Sequence, residues 1–177
     1  RRLLDSSARI FLEEFLASDS VLDFPSYNDP EISILLILHN RAELTLPCLC
    51  SLLQNRLKSY EVILIDNAST DQTQQLLRRL TGVNVFRNEE NKHYLRACNQ
   101  AAEQARGKCV LLLNNDTVVE SNSIQHALQT LESSSDIGAV GGKVILPDGT
   151  LQEAGSIIWQ DGSCLGYGRG GYPLASE

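Results

Sequence analysis

Between residues 32 and 131 the sequence alternates four short apolar runs with four stretches of helical periodicity, an order that few folds accommodate. The runs are Ile32 to Leu38, Val62 to Ile65, Val83 to Phe86 and Val110 to Leu113. Each is continuous in β-branched and leucine residues rather than alternating with polar ones, the pattern of a strand buried on both faces. The stretches between and after them, about Glu43 to Asn55, Asp71 to Leu80, Tyr94 to Arg106 and Ser123 to Leu131, carry apolar residues at helical spacing. Such a β-α-β-α order predicts an α/β fold: a mostly parallel sheet with right-handed crossovers, flanked by helices. Gly107 is expected to stop the third of these helices.

The flanks read differently. Leu4, Ala8, Phe11, Leu12, Phe15 and Leu16 recur at helical spacing, so residues 3 to 17 predict an amphipathic helix that needs a partner surface. Pro25, Asn28, Asp29 and Pro30 punctuate a linker, which divides the chain into a helix and linker over 1–30 and a main domain over 31–177. After Asp136 the pattern changes to short strands, around Val140 to Leu146, Leu151 and Ile157 to Trp159, with a Pro147-Asp148-Gly149 turn. This predicts a small antiparallel addition near the C-terminus. The tail from Gly162 to Gly171 is too glycine-rich for a regular element and reads as either a ligand-shaped loop or a disordered segment.

Composition bounds the function. A chain of 177 residues with 42% hydrophobic content can bury one core. Its net charge of −7, with Lys and Arg scattered along the chain, excludes nucleic acid as a partner. No apolar stretch reaches the ~18 to 20 residues that span a bilayer, so no transmembrane segment is expected. Cys48, Cys50, Cys98, Cys109 and Cys164 show no paired C-x-x-C spacing. They read as reduced thiols rather than a zinc site, which suits a cytoplasmic protein. Both ends look cut from a longer parent, which is expected to be peripheral at a membrane.

In an open parallel sheet, ligands gather at the carboxyl ends of the strands. The residues that follow the four runs are His39, Asn40 and Arg41; Asp66 and Asn67; Arg87 and Asn88; and Asn114, Asn115 and Asp116. A carboxylate at Asp66 can accept hydrogen bonds from a base or ribose. The same segment, Asp66 to Asp71, also makes a strand-to-helix turn, with Ser69 or Thr70 as N-cap and Asp71 favoured by the helix dipole. The oxygen ligands of Asn114-Asn115-Asp116 suit Mg2+ or Mn2+, which take further ligands from substrate phosphates. Read alone, the segment equally suits a turn in which Asp116 or Thr117 caps a short helix.

Taken together, these pieces resemble the family 2 glycosyltransferases, including their rhamnosyltransferase-like members, from Ile32 to about Gly168. They are Ser33 to Arg41, the DNASTD segment Asp66 to Asp71, Asn91 to Asn99, and LLNNDT at Leu112 to Thr117. Gly141 to Gly149 and Gln152 to Gly155 are also similar to that subgroup. The resemblance implies a GT-A fold and the donor-binding half of an inverting enzyme of polysaccharide biosynthesis. Such an enzyme moves a sugar from a UDP- or dTDP-sugar to a glycan or lipid-linked acceptor with Mg2+ or Mn2+.

By the same resemblance Leu38 and His39 line the base pocket, beside Asn40 and Arg41, and Asp66 binds uracil or thymine. Asn91, His93, Arg96 and Asn99 fall in a segment whose basic side chains, Lys92, His93 and Arg96, are candidates to meet the diphosphate, although Lys92 equally suits a solvated helix start. Asn114, Asn115 and Asp116 stand for the D-x-D motif, with Asp116 as the metal ligand. Three departures stand out. Asn114 replaces the leading Asp; His93 and Cys98 replace a usual Gly and a frequent Arg; and no acidic motif for a catalytic base precedes Glu177.

Two rivals differ in kind. A nucleotidyltransferase needs a glycine-rich loop after its first strand, and Leu38-His39-Asn40-Arg41-Ala42-Glu43 has no glycine. A non-catalytic nucleotide-sugar-binding or scaffold domain with a decayed site is consistent with the departures.

Overall fold

Four of the strands form one parallel sheet. The computed structural model describes residues 2–55 and 57–173, with backbone alone for residues 2–5 and for Ile158. Leu4, expected on an apolar helix face, therefore lies outside the described side chains, and Glu177 outside the described residues. Two compact units appear, residues 2–121 and residues from 122 onward.

The first unit runs α1 (Arg2–Ala17), β1 (Leu22–Asp23), β2 (Ile32–Leu38), α2 (Ala42–Gln54), β3 (Tyr60–Asn67), α3 (Thr73–Leu77), β4 (Leu80–Thr81), β5 (Asn84–Asn88), α4 (His93–Ala102) and β6 (Cys109–Asn114). Its main sheet has the order β5-β3-β2-β6, with every pairing parallel. Burial on both faces holds for the two central strands: all of β3 and all of β2 but Ile37 are buried. The flanking strands depart from that expectation. Val110 and Leu112 of β6 are 48% and 55% exposed, and Val85 of β5 is 42% exposed, so an apolar run here marks a strand covered on one side only.

Helix α4 covers the sheet through Ala97 and Ala101, which pack on Leu35, Ile63 and Ile65. Side chains this small let the helix backbone come close to the strands. α1 packs on α2 and buries Leu12 and Phe15, whereas Phe11, grouped with them by spacing, is exposed. The segment read as a linker begins in regular structure, because β1 pairs in parallel with β4 and Phe24 is buried.

Gly107 has a different role from the one its position suggested. α4 ends at Ala102, and Gly107 instead donates its N–H to Ser33 Oγ (2.8 Å) at the start of β2. A Cβ at this position would lie 2.5 Å from the Ser33 nitrogen, so the residue permits a close backbone approach rather than a helix stop.

The second unit contains α5 (Ser123–Glu132) and two antiparallel ladders, β7 (Lys143–Ile145) with β8 (Leu151–Ala154) and β9 (Ser156–Ile158) with β10 (Cys164–Gly166). β10 corrects the expectation that the glycine-rich tail holds no regular element. Gly162, at φ 81°, gives its N–H to Trp159 O, and Trp159 N–H reaches Ser163 O, a tight turn that folds the chain back on β9. The glycines serve the turns, and Cys164-Leu165-Gly166 supplies the strand. Among the described residues, no helix is long and apolar enough to cross a membrane.

Candidate functional site

The register of the parallel sheet brings the polar strand ends to one edge. Arg87 of β5 lies beside Asp66 of β3, Asp66 lies beside Leu38 of β2, and one residue back Ile37 lies beside Asn114 of β6. Strands are spaced about 4.8 Å apart, which puts the Asp66 and Asn114 backbones roughly 10 Å from each other on the same rim. His39, Asn67, Asn88 and Asn115-Asp116 follow directly in the chain.

Asp66 is 1% exposed, and its carboxylate is already engaged. Oδ1 accepts the Ser69 N–H (2.9 Å), and Oδ2 accepts Arg87 Nη1, whose guanidinium also reaches Ser69 O (3.2 Å). A ligand here meets a carboxylate–guanidinium pair, not a bare acid. Leu38 is wholly buried, so it forms the floor of the edge.

His39 is exposed at the rim and its Nδ1 lies 2.9 Å from Asn67 O. A carbonyl only accepts, so Nδ1 carries a proton, which leaves Nε2 as the ring nitrogen that faces outward. The loops after β2 and β3 are stitched together. Asn40 N–H donates to Ser69 Oγ (2.8 Å), Thr70 N–H donates to Asn40 Oδ1 (2.8 Å), and Ala42 N–H donates to Asp71 Oδ2 (3.0 Å).

Asp71 therefore caps two helices, since its Oδ1 also accepts the N–H and hydroxyl of Thr73 at the start of α3 (3.0 and 2.6 Å). Asp71, expected to favour the helix dipole, supplies these acceptors, whereas Ser69 and Thr70 serve the inter-loop contacts instead of an N-cap. Burial would raise the Asp71 carboxyl, but these donors outweigh it and hold it below the usual range. Arg41 turns its Nε onto Glu43 (2.7 Å), and its carbonyl receives Leu44 and Thr45 of α2.

Backbone strain collects on this edge. Asn40, Arg41, Ala68 and His93 all have φ between 60° and 64°, a region that glycine enters at little cost. A glycine at position 93, which the resemblance implies, would carry that backbone without strain. His93 and Arg96 are exposed in the first turn of α4, and Asn99 lies six residues on from His93, about 9 Å further along the axis.

At the end of β6, the Asn114 carbonyl accepts Thr117 Oγ1 (2.6 Å) and the Cys48 thiol (3.6 Å). Asn115 donates its amide to Thr45 Oγ1 (2.8 Å), which anchors the turn to α2 and leaves its side-chain carbonyl for a ligand. Asp116 is exposed and takes no hydrogen bond from the described residues. Among those residues no three His, Cys, Asp or Glu side chains converge. One carboxylate with a neighbouring amide oxygen fits a Mg2+ or Mn2+ that completes its shell with substrate phosphates, not an all-protein cage. A cleft of about 440 Å³ on the β5 side is lined by Arg87, Asn88, Glu89, Glu90 and Lys92.

Arg87, Asn67 and Asn88, which the sequence places at the strand ends without a role, gain specific partners here. The two asparagines are buried and joined by their side chains, Asn88 Nδ2 to Asn67 Oδ1 (3.0 Å). Their place at strand ends was the available signal. In the second unit, the exposed Asp161 carboxylate accepts Ser163 N–H and Oγ in a turn.

Fold and edge define an α/β domain of the GT-A class. The chain belongs to glycosyl transferase family 2, whose model matches residues 33–164. It is 33% identical over 143 residues to the O-antigen biosynthesis protein RfbC of Myxococcus xanthus, covering 78% of this chain and 11% of that protein. It is 28% identical over 114 residues to a poly-beta-1,6-N-acetyl-D-glucosamine synthase of Staphylococcus aureus, covering 63% of this chain and 28% of that one. The chain thus spans a minor part of either relative.

Among solved structures, a mannosyltransferase from Pyrobaculum calidifontis in complex with GDP-Man and Mn2+ superposes with a TM-score of 0.60 at 23% identity. That match covers 81% of this chain and 45% of the neighbour. S. aureus TarS 1-349 in complex with UDP-GlcNAc gives 0.53 at 24% identity, over 58% and 31% of the two chains. Both likenesses establish the shared fold.

Proposed function

We propose that this chain is the donor-binding part of an inverting glycosyltransferase. It takes a UDP- or dTDP-sugar with Mg2+ or Mn2+ for transfer to a glycan or lipid-linked acceptor. The observation that supports this most is the row Arg87, Asp66, Leu38 on neighbouring strands, with Asn114 beside it on the same edge.

In this reading the pyrimidine rests on the Leu38 floor beside His39. His39 Nε2 faces the base, and the Asp66–Arg87 pair faces its polar atoms. Asn40 and Arg41 shape the loop around the ribose. The diphosphate lies between Asn91, Lys92, His93 and Arg96 on one side and Asn114 to Asp116 on the other, with Asn99 further along the same helix. Mg2+ or Mn2+, held by Asp116, would neutralise the departing diphosphate. The chain's own cationic side chains do the same from the α4 end.

No described carboxylate is assigned as the general base. Base assistance is worth roughly 10² to 10⁴ in rate, so this chain by itself binds donor and transfers sugar slowly. A second reading, a nucleotide-sugar-binding domain that no longer catalyses, is favoured by the single carboxylate at the cation position.

Calorimetry with UDP-, dTDP- and GDP-sugars tests the proposal. Binding of a uridine or thymidine diphosphate sugar is expected. Preference for GDP would overturn the pyrimidine assignment, and no binding by any member would overturn the site.

A further inference from the structure

Asn67 joins elements that the sequence keeps well apart. It is 2% exposed at the end of β3, yet it makes three side-chain hydrogen bonds to the segment that leads into α4. Oδ1 accepts Asn88 Nδ2 (3.0 Å) and the Lys92 N–H (3.0 Å), while Nδ2 donates to Asn91 Oδ1 (2.7 Å). Asn91 Oδ1 in turn accepts the His93 N–H (2.8 Å). The backbone donors fix both amide orientations, because each N–H can only be met by an oxygen. Lys92 N–H thus donates to Asn67 Oδ1, while Asn67 Nδ2 and His93 N–H both donate to Asn91 Oδ1, so the two amides tie both backbone donors to the end of β3. The Asn67 carbonyl at the same time holds the His39 ring (2.9 Å).

We infer that Asn67 is a positioning residue that locks residues 91–93 in place relative to the base half of the site, so that the grip on the second phosphate depends on it. The inference rests on the donor-binding reading above. His93 gives it physical force: a non-glycine residue at φ 60° persists only where its surroundings over-determine it, and the Asn67–Asn91 pair supplies that restraint. An amide is needed at 67 rather than a carboxylate, since Asn91 Oδ1 must be met by a donor while Lys92 N–H must be met by an acceptor.

The test compares UDP with UMP in the presence of Mn2+, using the intact chain, Asn67→Ala, Asn91→Ala and the double variant, with dTDP and dTMP run alongside. Asn67→Ala should weaken the diphosphate about tenfold and leave the monophosphate within about twofold. The double variant should be no worse than the more affected single, because both substitutions break the same amide pair. A merely structural Asn67 would lower both affinities together, and additive losses would mark independent contacts; either result overturns the inference. If the intact chain binds neither diphosphate, the donor-site reading fails and takes the inference with it; binding with an unchanged preference in Asn67→Ala sinks the inference alone. Should Asn67→Ala not fold, hydrogen exchange decides. The Lys92 and His93 amides should be protected in the native chain, with protection at His93 lost in Asn91→Ala, whereas free exchange at both in the native chain overturns it.

Discussion

The Asp66 carboxylate and the Arg87 guanidinium meet across the β3–β5 pairing, and the acid is 1% exposed where the Arg side chain is 45% exposed. A buried carboxylate is tolerable only when its oxygens are matched by donors, and here Ser69 and Arg87 provide them. The pair thus presents a neutralised, fixed surface to whatever binds above it, with the cation as its more accessible half.

Removing Arg87 should therefore affect stability as well as binding. Arg87→Ala leaves Asp66 with one charged partner fewer, and a loss of about 2 kcal/mol is expected from hydrogen bonds to a charged group. Arg87→Lys should recover only part of it, because one ammonium cannot reach both Asp66 and the Ser69 carbonyl as a fork does. Urea denaturation checks both; equal stability of all three proteins would contradict the pairing.

The positive-φ residues make opposite predictions at neighbouring sites. Ala68→Gly should stabilise by about 1 kcal/mol, because alanine has no polar side chain whose local hydrogen bond could offset a left-handed backbone. Asn40→Gly should destabilise, because asparagine tolerates this region and its Oδ1 holds the Thr70 N–H. Thermal melts moving the same way for both would contradict this account of the edge.

Acid should weaken the fold through Glu61 as well as Asp71. Burial would raise Glu61, but the Ser33 hydroxyl and the backbone and guanidinium N–H groups of Arg106 hold it below its ordinary range. A carboxyl depressed in the folded state gives stability that is complete above its unfolded pKa and lost as pH falls through the folded one. Glu61→Gln should cost about 1 to 3 kcal/mol at neutral pH and flatten the decline of stability below about pH 4. An unchanged acid profile would count against the Glu61–Arg106 clip.

Thiol labelling should divide the cysteines. Burial pushes the Cys48 thiol up to about 12, under the Asn114 carbonyl that it caps, so it should resist a thiol reagent until the protein unfolds. Cys164 is exposed and should label at once. Rapid native labelling of Cys48 would mean that the Asn114–Thr117 turn does not cover it.

What the sequence made legible follows from how local each signal is. Ile32 to Leu38 is a strand to the residue, because seven apolar or small side chains between polar flanks leave little choice. The edge that Asp66 and Asn114 share was legible for the same reason, since parallel strands end on one side. α3 is shorter than its pattern, Thr73–Leu77 against Asp71 to Leu80, since Asp71 caps from outside and β4 takes Leu80. Asn67 stayed hidden because its role is set by amide orientation toward residues more than twenty positions away. β10 stayed hidden because pairing with β9 overrides the low strand propensity around it.

The central claim is that the edge holding Asp66 and Asp116 binds a nucleoside diphosphate together with a divalent cation. Titrating UDP and dTDP into the chain with and without Mn2+, for the native sequence and for Asp116→Ala, tests it most directly. We predict a heat of binding that needs the cation and disappears in Asp116→Ala, with Asp161→Ala behaving as native. Binding that is indifferent to Mn2+ and survives Asp116→Ala would contradict it.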